Sequence, residues 1–179
     1  MTTNSHSLHI ANQINKTNMS VKPHQLQQKV MQWLKEEYPL ADIQLIHNST
    51  ALFQIDIKDD TSIPTHIFIL KNAADRLIIE IYWQLSDDYI KSIAGLKTDA
   101  KTKFLKQLTQ GFLLMHLNFV VEPNPQNVER IKMQTQIILD GLTKHTLVES
   151  LFKVNSGHGY ILSLIDLIMD QGFDSSRRV

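Results

Sequence analysis

The chain has 179 residues, 18 basic and 18 acidic side chains, eight histidines and no cysteine. That length suits one ordinary domain whose core needs no disulfide or metal staple. Balanced charge argues against a general polyanion binder while leaving room for a local patch, and the lack of cysteine excludes disulfide frameworks, thiol nucleophiles and thiolate metal sites.

Residues 1–20 are rich in Asn, Ser and Thr and carry only scattered apolar side chains. They lack the basic start and continuous apolar core of a secretory signal, and read as a disordered polar tail. Met19, just ahead of the first periodic segment, is a second candidate start codon. No apolar stretch approaches the roughly 18–20 residues that cross a bilayer, so a cytoplasmic protein with no membrane partner is expected. The single domain is expected over 21–172, with 173–179 as a frayed end.

Pro23 suits a first helical turn, where its missing N–H would be unsatisfied anyway. Leu26, Val30, Trp33 and Leu34 follow at helical spacing, predicting a helix over 23–38 that Pro39 ends. Four strands follow. Residues 42–47 place Ile43 and Leu45 on one face, and 51–58 alternate Phe53, Ile55 and Ile57 with Gln54 and Asp56. Pro64 delays the third strand to 65–71. The fourth, 76–84, sets Leu77, Ile79, Ile81 and Trp83 against Glu80, Tyr82 and Gln84. Short connections imply antiparallel neighbours and one wet face.

Ser86 caps a short helix, with Asp87 and Asp88 at its positive end and Gly95 at its finish. Thr98 is placed as the cap of a second helix running to about Leu117, striped by Leu105, Leu108, Phe112 and Met115. Strands 118–122 and 130–139 flank the turn-rich Pro123-Asn124-Pro125-Gln126-Asn127, a hairpin with a long loop. Gly157 and Gly159 weaken the last segment, yet Leu147, Leu151, Val154, His158, Ile161, Ile165 and Ile168 keep helical phase across them. One long helix over 143–171 is predicted. The order α-β-β-β-β-α-α-β-β-α gives an α+β domain: an antiparallel sheet of about six strands with amphipathic helices packed on one face.

Trp33-Leu34 in the first helix, Asp75-Arg76-Leu77-Ile78-Ile79 opening a strand and Asp140-Gly141-Leu142-Thr143 before the last helix carry a resemblance. Over about 21–172 the chain resembles an uncharacterised, mainly archaeal family of domains of unknown function, whose fold is similar to that of type III secretion chaperones. Such chaperones pair as homodimers and hold extended segments of client proteins, so the resemblance implies a protein-binding module. It transfers no catalytic residue. An added strand and the short 86–94 helix depart from the simple chaperone order.

Residue chemistry points the same way. His47 and His66 fall on different strands, and His145 and His158 are too far apart on one helix to share an ion, so no metal site is expected. His116 and His158 read as packed or partly exposed histidines, with His158 an exposed tip if the helix were to break. Asp59-Asp60 suits a turn and Asp87-Asp88 a helix start. There is no nucleophile elbow, and the six glycines form neither a dinucleotide fingerprint nor a phosphate loop. No cofactor and no enzyme activity are expected.

Two surfaces stand out. Lys91, Lys97, Lys101, Lys103 and Lys106 form a basic run broken by Asp99, which gives the alternative reading of a binder of nucleic acid or of an acidic protein surface. The run has no arginine and little aromatic surface for stacking bases, which argues against nucleic acid. Tyr82 with Glu80 and Gln84 on the outer sheet face, and Trp83 beside them, form a candidate surface for a protein client or a homodimer partner. The candidate partner-binding residues are therefore Tyr82, Trp83, Lys97, Lys101 and Lys103.

Overall fold

Alternation in the strands and three-four spacing in the helices leave each element with one apolar side, and those sides meet in a single core. The computed structural model describes residues 22–58 and 63–175, with side chains through Leu167. The polar tail, the connection at 59–62 and the last four residues lie outside the described residues.

The chain runs α1 (Pro23–Glu37), β1 (Asp42–Ile46), β2 (Ala51–Lys58), β3 (Thr65–Leu70), β4 (Arg76–Gln84), α2 (Asp87–Ala94) and α3 (Thr98–Leu114). It continues with β5 (Asn118–Asn124), β6 (Asn127–Ile138), a short 3-10 turn (Leu139–Gly141) and α4 (Lys144–Ser175). The strands form one antiparallel sheet in the spatial order β1-β2-β3-β4-β6-β5. The predicted α+β class, the element order and the six strands are those observed.

The inner face carries Phe53, Ile55 and Ile57 from β2, Ile67 and Ile69 from β3, and Leu77, Ile79, Ile81 and Trp83 from β4. Ile131, Met133 and Ile137 extend it on β6. Val30 and Leu34 of α1, Phe104, Leu108 and Phe112 of α3, and Leu147, Leu151, Val154, Ile161 and Ile165 of α4 close over it. α1 lies against β1 and β2; α4 lies against β4 and β6 and touches the other three helices.

Four expectations about the elements change. The loop expected over 123–127 is a tight turn, because Asn124 and Asn127 are already paired across the strands. Asn124 Oδ1 accepts the backbone N–H groups of Gln126 and Asn127, both at 3.0 Å, a side-chain turn that replaces a longer loop. Thr98 is not the cap of α3 but its first residue: Lys97 is extended and makes no side-chain cap. α3 stops at Leu114, short of Leu117, and His116 beyond it takes a left-handed backbone, φ 54°. Phe104, not Leu105, leads the buried stripe, with Leu105 and Met115 half-buried at its margins.

α4 is unbroken through both glycines. A Cβ on Gly157 would stand 2.7 Å from Leu117 Cδ1 and 3.2 Å from Phe112 Cε1, so this position lets the helix approach the core closely. Gly159 faces open space. Thr143 and Thr146 cap the start reciprocally: each backbone N–H donates to the other hydroxyl, at 2.9 and 3.1 Å.

Candidate surface on the open face of the sheet

With the helices on the inner face, the outer face is left to the alternate residues of each strand, and among the described residues no helix packs on it. Pairing registers align one residue per strand into a transverse row: Gln44, Asp56, His66, Glu80, Gln134 and Asn118. A neighbouring row brings Ile46, Gln54, Phe68, Ile78 and Gln136 together. Between them lies a depression of ≈ 550 Å³ with Phe68, Leu70 and Ile78 as its apolar part. Its polar lining includes Gln54, His66, Arg76, Glu80, Lys132 and Gln134.

Charges around this depression are matched. His66 Nδ1 lies 2.9 Å from Asp56 Oδ1, which also accepts a 2.8 Å hydrogen bond from Gln54 Nε2. Asn48 Nδ2 donates in turn to Gln54 Oε1 at 2.7 Å. The Lys132 ammonium is 2.8 Å from Glu80 Oε2, a carboxylate whose side chain is only 12% exposed. Arg76 donates two 2.9 Å hydrogen bonds to Asp75 and one of 3.2 Å to Gln136. The Arg76 guanidinium holds the Asp75 carboxyl below its ordinary value.

Tyr82 sits where alternation places it. Its hydroxyl donates to Glu122 Oε2 at 3.0 Å, and the Arg130 guanidinium lies 5.8 Å from its ring centre. Arg130 Nε is 3.6 Å from the same carboxylate oxygen. Trp83 takes the opposite side that the same alternation sets for it: its side chain turns inward, is 8% exposed, and packs edge-on to His158 with ring centres 4.8 Å apart. Adjacent strand residues must point to opposite faces, so Tyr82 and Trp83 cannot share the open one. Beyond the last β3–β4 pair, Thr65 and Ile81, the two residues border a second depression of ≈ 450 Å³ with Ile63, Pro64, Gln84, His158 and Leu162.

The lysines lie apart from this face, on the helix layer. Lys97 and Lys103 are exposed at the start of α3, and Lys101 donates to the backbone carbonyl of Gln126 in the β5–β6 turn. Among the described residues Lys91, Lys97, Lys103 and Lys106 make no ion pair. Sequence reasoning missed the pairs Asp56–His66, Glu80–Lys132 and Glu122–Arg130, and the apolar Phe68 and Ile78 between them. All occupy outward positions of their strands, a signal that becomes specific only when registers are known.

As a chemical device the face offers matched charges around an apolar floor. His66 is oriented by Asp56, and among the described residues no hydroxyl is hydrogen-bonded to its other nitrogen. No group of three or more His, Asp or Glu comes together among the described residues to hold a metal ion. No helix among them is long and apolar enough to cross a membrane.

Together these features define an α+β domain with helices on one side of an antiparallel sheet and a mixed polar and apolar surface on the other. The chain belongs to the family described as uncharacterized conserved protein, DUF2299, whose model matches residues 26–165. Membership of an uncharacterised conserved family agrees with the resemblance drawn from the short motifs. A similar solved structure is the crystal structure of an uncharacterized protein from the archaeon Methanothermobacter thermautotrophicus. It is 18% identical, with a TM-score of 0.70, and the match covers 81% of this chain and 97% of that one. At that identity the likeness shows the fold. YbjN, a putative transcription regulator from E. coli, matches at 7% identity and a TM-score of 0.47 over 80% of this chain and 92% of its own. Among curated proteins none matches the sequence.

Proposed function

We propose that the protein is a cytoplasmic polypeptide-binding module without catalytic chemistry of its own, and that a segment of a client protein docks on the open face of the sheet. The observation carrying this reading is the depression around Phe68, Leu70 and Ile78, bordered by the Lys132–Glu80 ion pair and the His66–Asp56 hydrogen bond and left uncovered by the described helices. Side chains of this kind recognise a polypeptide through a desolvated apolar centre and a polar rim. Phosphate chains favour unpaired cations, whereas the cations here stand beside carboxylates. The family that the short motifs resemble has a fold similar to that of secretion chaperones, which hold extended client segments on their surface.

Capture from a native lysate of the source, with and without nuclease treatment, tests the reading, using wild type, Phe68→Lys and a Lys97→Glu, Lys101→Glu, Lys103→Glu triple variant. The expected result is a stoichiometric protein partner that survives moderate salt, is lost with Phe68→Lys and is kept by the triple variant. A second reading rests on the unpaired lysines of α2 and α3, which suit an acidic surface or nucleic acid. Capture that vanishes with nuclease, or only in the triple variant, would replace the open-face reading with that one.

A further inference from the structure

The two edges of the sheet are built differently. β5, at one edge, contains Pro123, which has no N–H to offer, and its pairing with β6 slips between Glu122 and Pro123. Proline and irregular register are two of the devices that blunt an edge against further strand pairing. β1, at the other edge, has none of them. Its five residues, Asp42-Ile43-Gln44-Leu45-Ile46, pair with β2 in unbroken register and include no proline, lysine or glycine. Among the described residues nothing pairs with its outer side. Leu45 is nevertheless 53% exposed, and Leu40, just before the strand, 99%.

We propose that β1 pairs with β1 of a second copy of this chain, antiparallel about a two-fold axis through Gln44. Three features argue for that occupant. Partners across an antiparallel ladder must share a face of the sheet, so in a two-fold pairing the axis must pass a residue, never between two residues. Of the candidate centres, only Gln44 pairs all five residues of the strand. Centring on Ile43 or Leu45 pairs only three.

With Gln44 on the axis, Leu45 faces Ile43 of the second copy on the inner side, and the reciprocal pair is identical. The exposed leucine is thus covered by an apolar residue twice over, the self-complementarity that a two-fold interface requires. The single charge of the strand, Asp42, falls opposite Ile46 of the second copy. The two aspartates are then separated by four residues of strand, about 13 Å, beyond the screening length at physiological salt. Unlike charges are not needed and like charges do not meet.

The pairing also continues the candidate surface. Gln44 is the first member of the transverse row that ends at Asn118. Joining two copies at Gln44 makes that row continuous across twelve strands and places two open faces side by side. This inference concerns the edge alone and does not depend on what the open face binds.

The absence of cysteine makes the test clean. In Gln44→Cys the two thiols would face one another across the axis, within disulfide reach. Under mild oxidation this variant is expected to give a disulfide-linked dimer on a non-reducing gel, whereas Val120→Cys on the β5 edge stays monomeric. In sedimentation, wild type is expected to dimerise with concentration, and both Leu45→Lys and Gln44→Lys to weaken that dimer at least about tenfold while keeping the wild-type circular dichroism. The exchange of β1 amides with deuterium would slow as wild-type concentration rises. A wild-type chain that is monomeric at every concentration overturns the proposal. So does a dimer that both lysine variants leave intact, or one that Val120→Cys cross-links as well as Gln44→Cys.

Discussion

Gly111 and Gly159 show how one residue type acts by opposite physics in neighbouring helices. A Cβ at Gly111 would fall 2.2 Å from the Tyr160 ring, and that ring is held by its hydroxyl, which donates to the Gln107 carbonyl at 2.8 Å. Overpacking at such a contact costs about 1–3 kcal/mol, against a helix-propensity gain of about 1 kcal/mol. Gly111→Ala is therefore expected to lower the urea midpoint. Gly159 meets nothing within 4 Å. Gly159→Ala should raise the midpoint, with a stability gain of about 0.5–1 kcal/mol, because only unfolded-chain freedom is lost. A gain of stability at Gly111 would contradict the close approach of α3 and α4.

Elements meet through equally specific joints. The end of α1 and the start of α4 are tied by Lys144, whose ammonium lies 2.7 Å from Glu37 and 2.9 Å from Glu36. Lys144, helped by the Gln32 amide, holds the Glu36 carboxyl below its ordinary value. A carboxyl lowered on folding contributes stability above its unfolded value and loses it as pH falls through the folded one. The thermal-midpoint advantage of wild type over Glu36→Gln should thus be present at neutral pH and fade below about pH 4. It should be small throughout, since solvent screens both groups. At the β5–β6 turn, Asn124→Ala removes the acceptor of two backbone N–H groups and is expected to cost about 1 kcal/mol in urea unfolding. An unchanged midpoint would mean that the turn holds without its side chain.

At the scale of the whole molecule, protection should follow the sheet's order. β4 is central and pairs with β6 over nine residues, from Arg76 and Ile138 to Gln84 and Arg130. Both strands are covered by α4. Native-state hydrogen exchange should find the slowest amides in β4 and β6, opening only with global unfolding. In dilute protein β1 should open first among the strands. Fast exchange in β4 would argue that the core is divided rather than continuous. The sheet's asymmetry, one face closed by helices and one that the described residues leave open, is also what turns a set of strands into a candidate docking surface.

Much of this architecture is legible in the order of residues. Periods of two and of three to four are local, and each element shows the core which side to bury; the six strands, four helices and unbroken α4 of the described residues follow from that. The seam Leu147, Leu151, Val154 and His158 kept its phase through Gly157 because burial, not glycine's propensity, dominates there. Tyr82 was likewise placed outward by alternation alone. Other features depend on separations in space. Trp83 is inward for the same parity reason that Tyr82 is outward, yet its partner His158 lies on another element. The pairs Asp56–His66 and Glu80–Lys132 exist only once registers are set, and a one-residue slip would move every member to the other face. Gly157 and Gly111 owe their purpose to neighbours 40 and 49 positions away, Leu117 and Tyr160. Composition and spacing carry the periodicity of each element; cross-strand register and close packing belong to the assembled chain, because they are relations between segments that no single segment encodes.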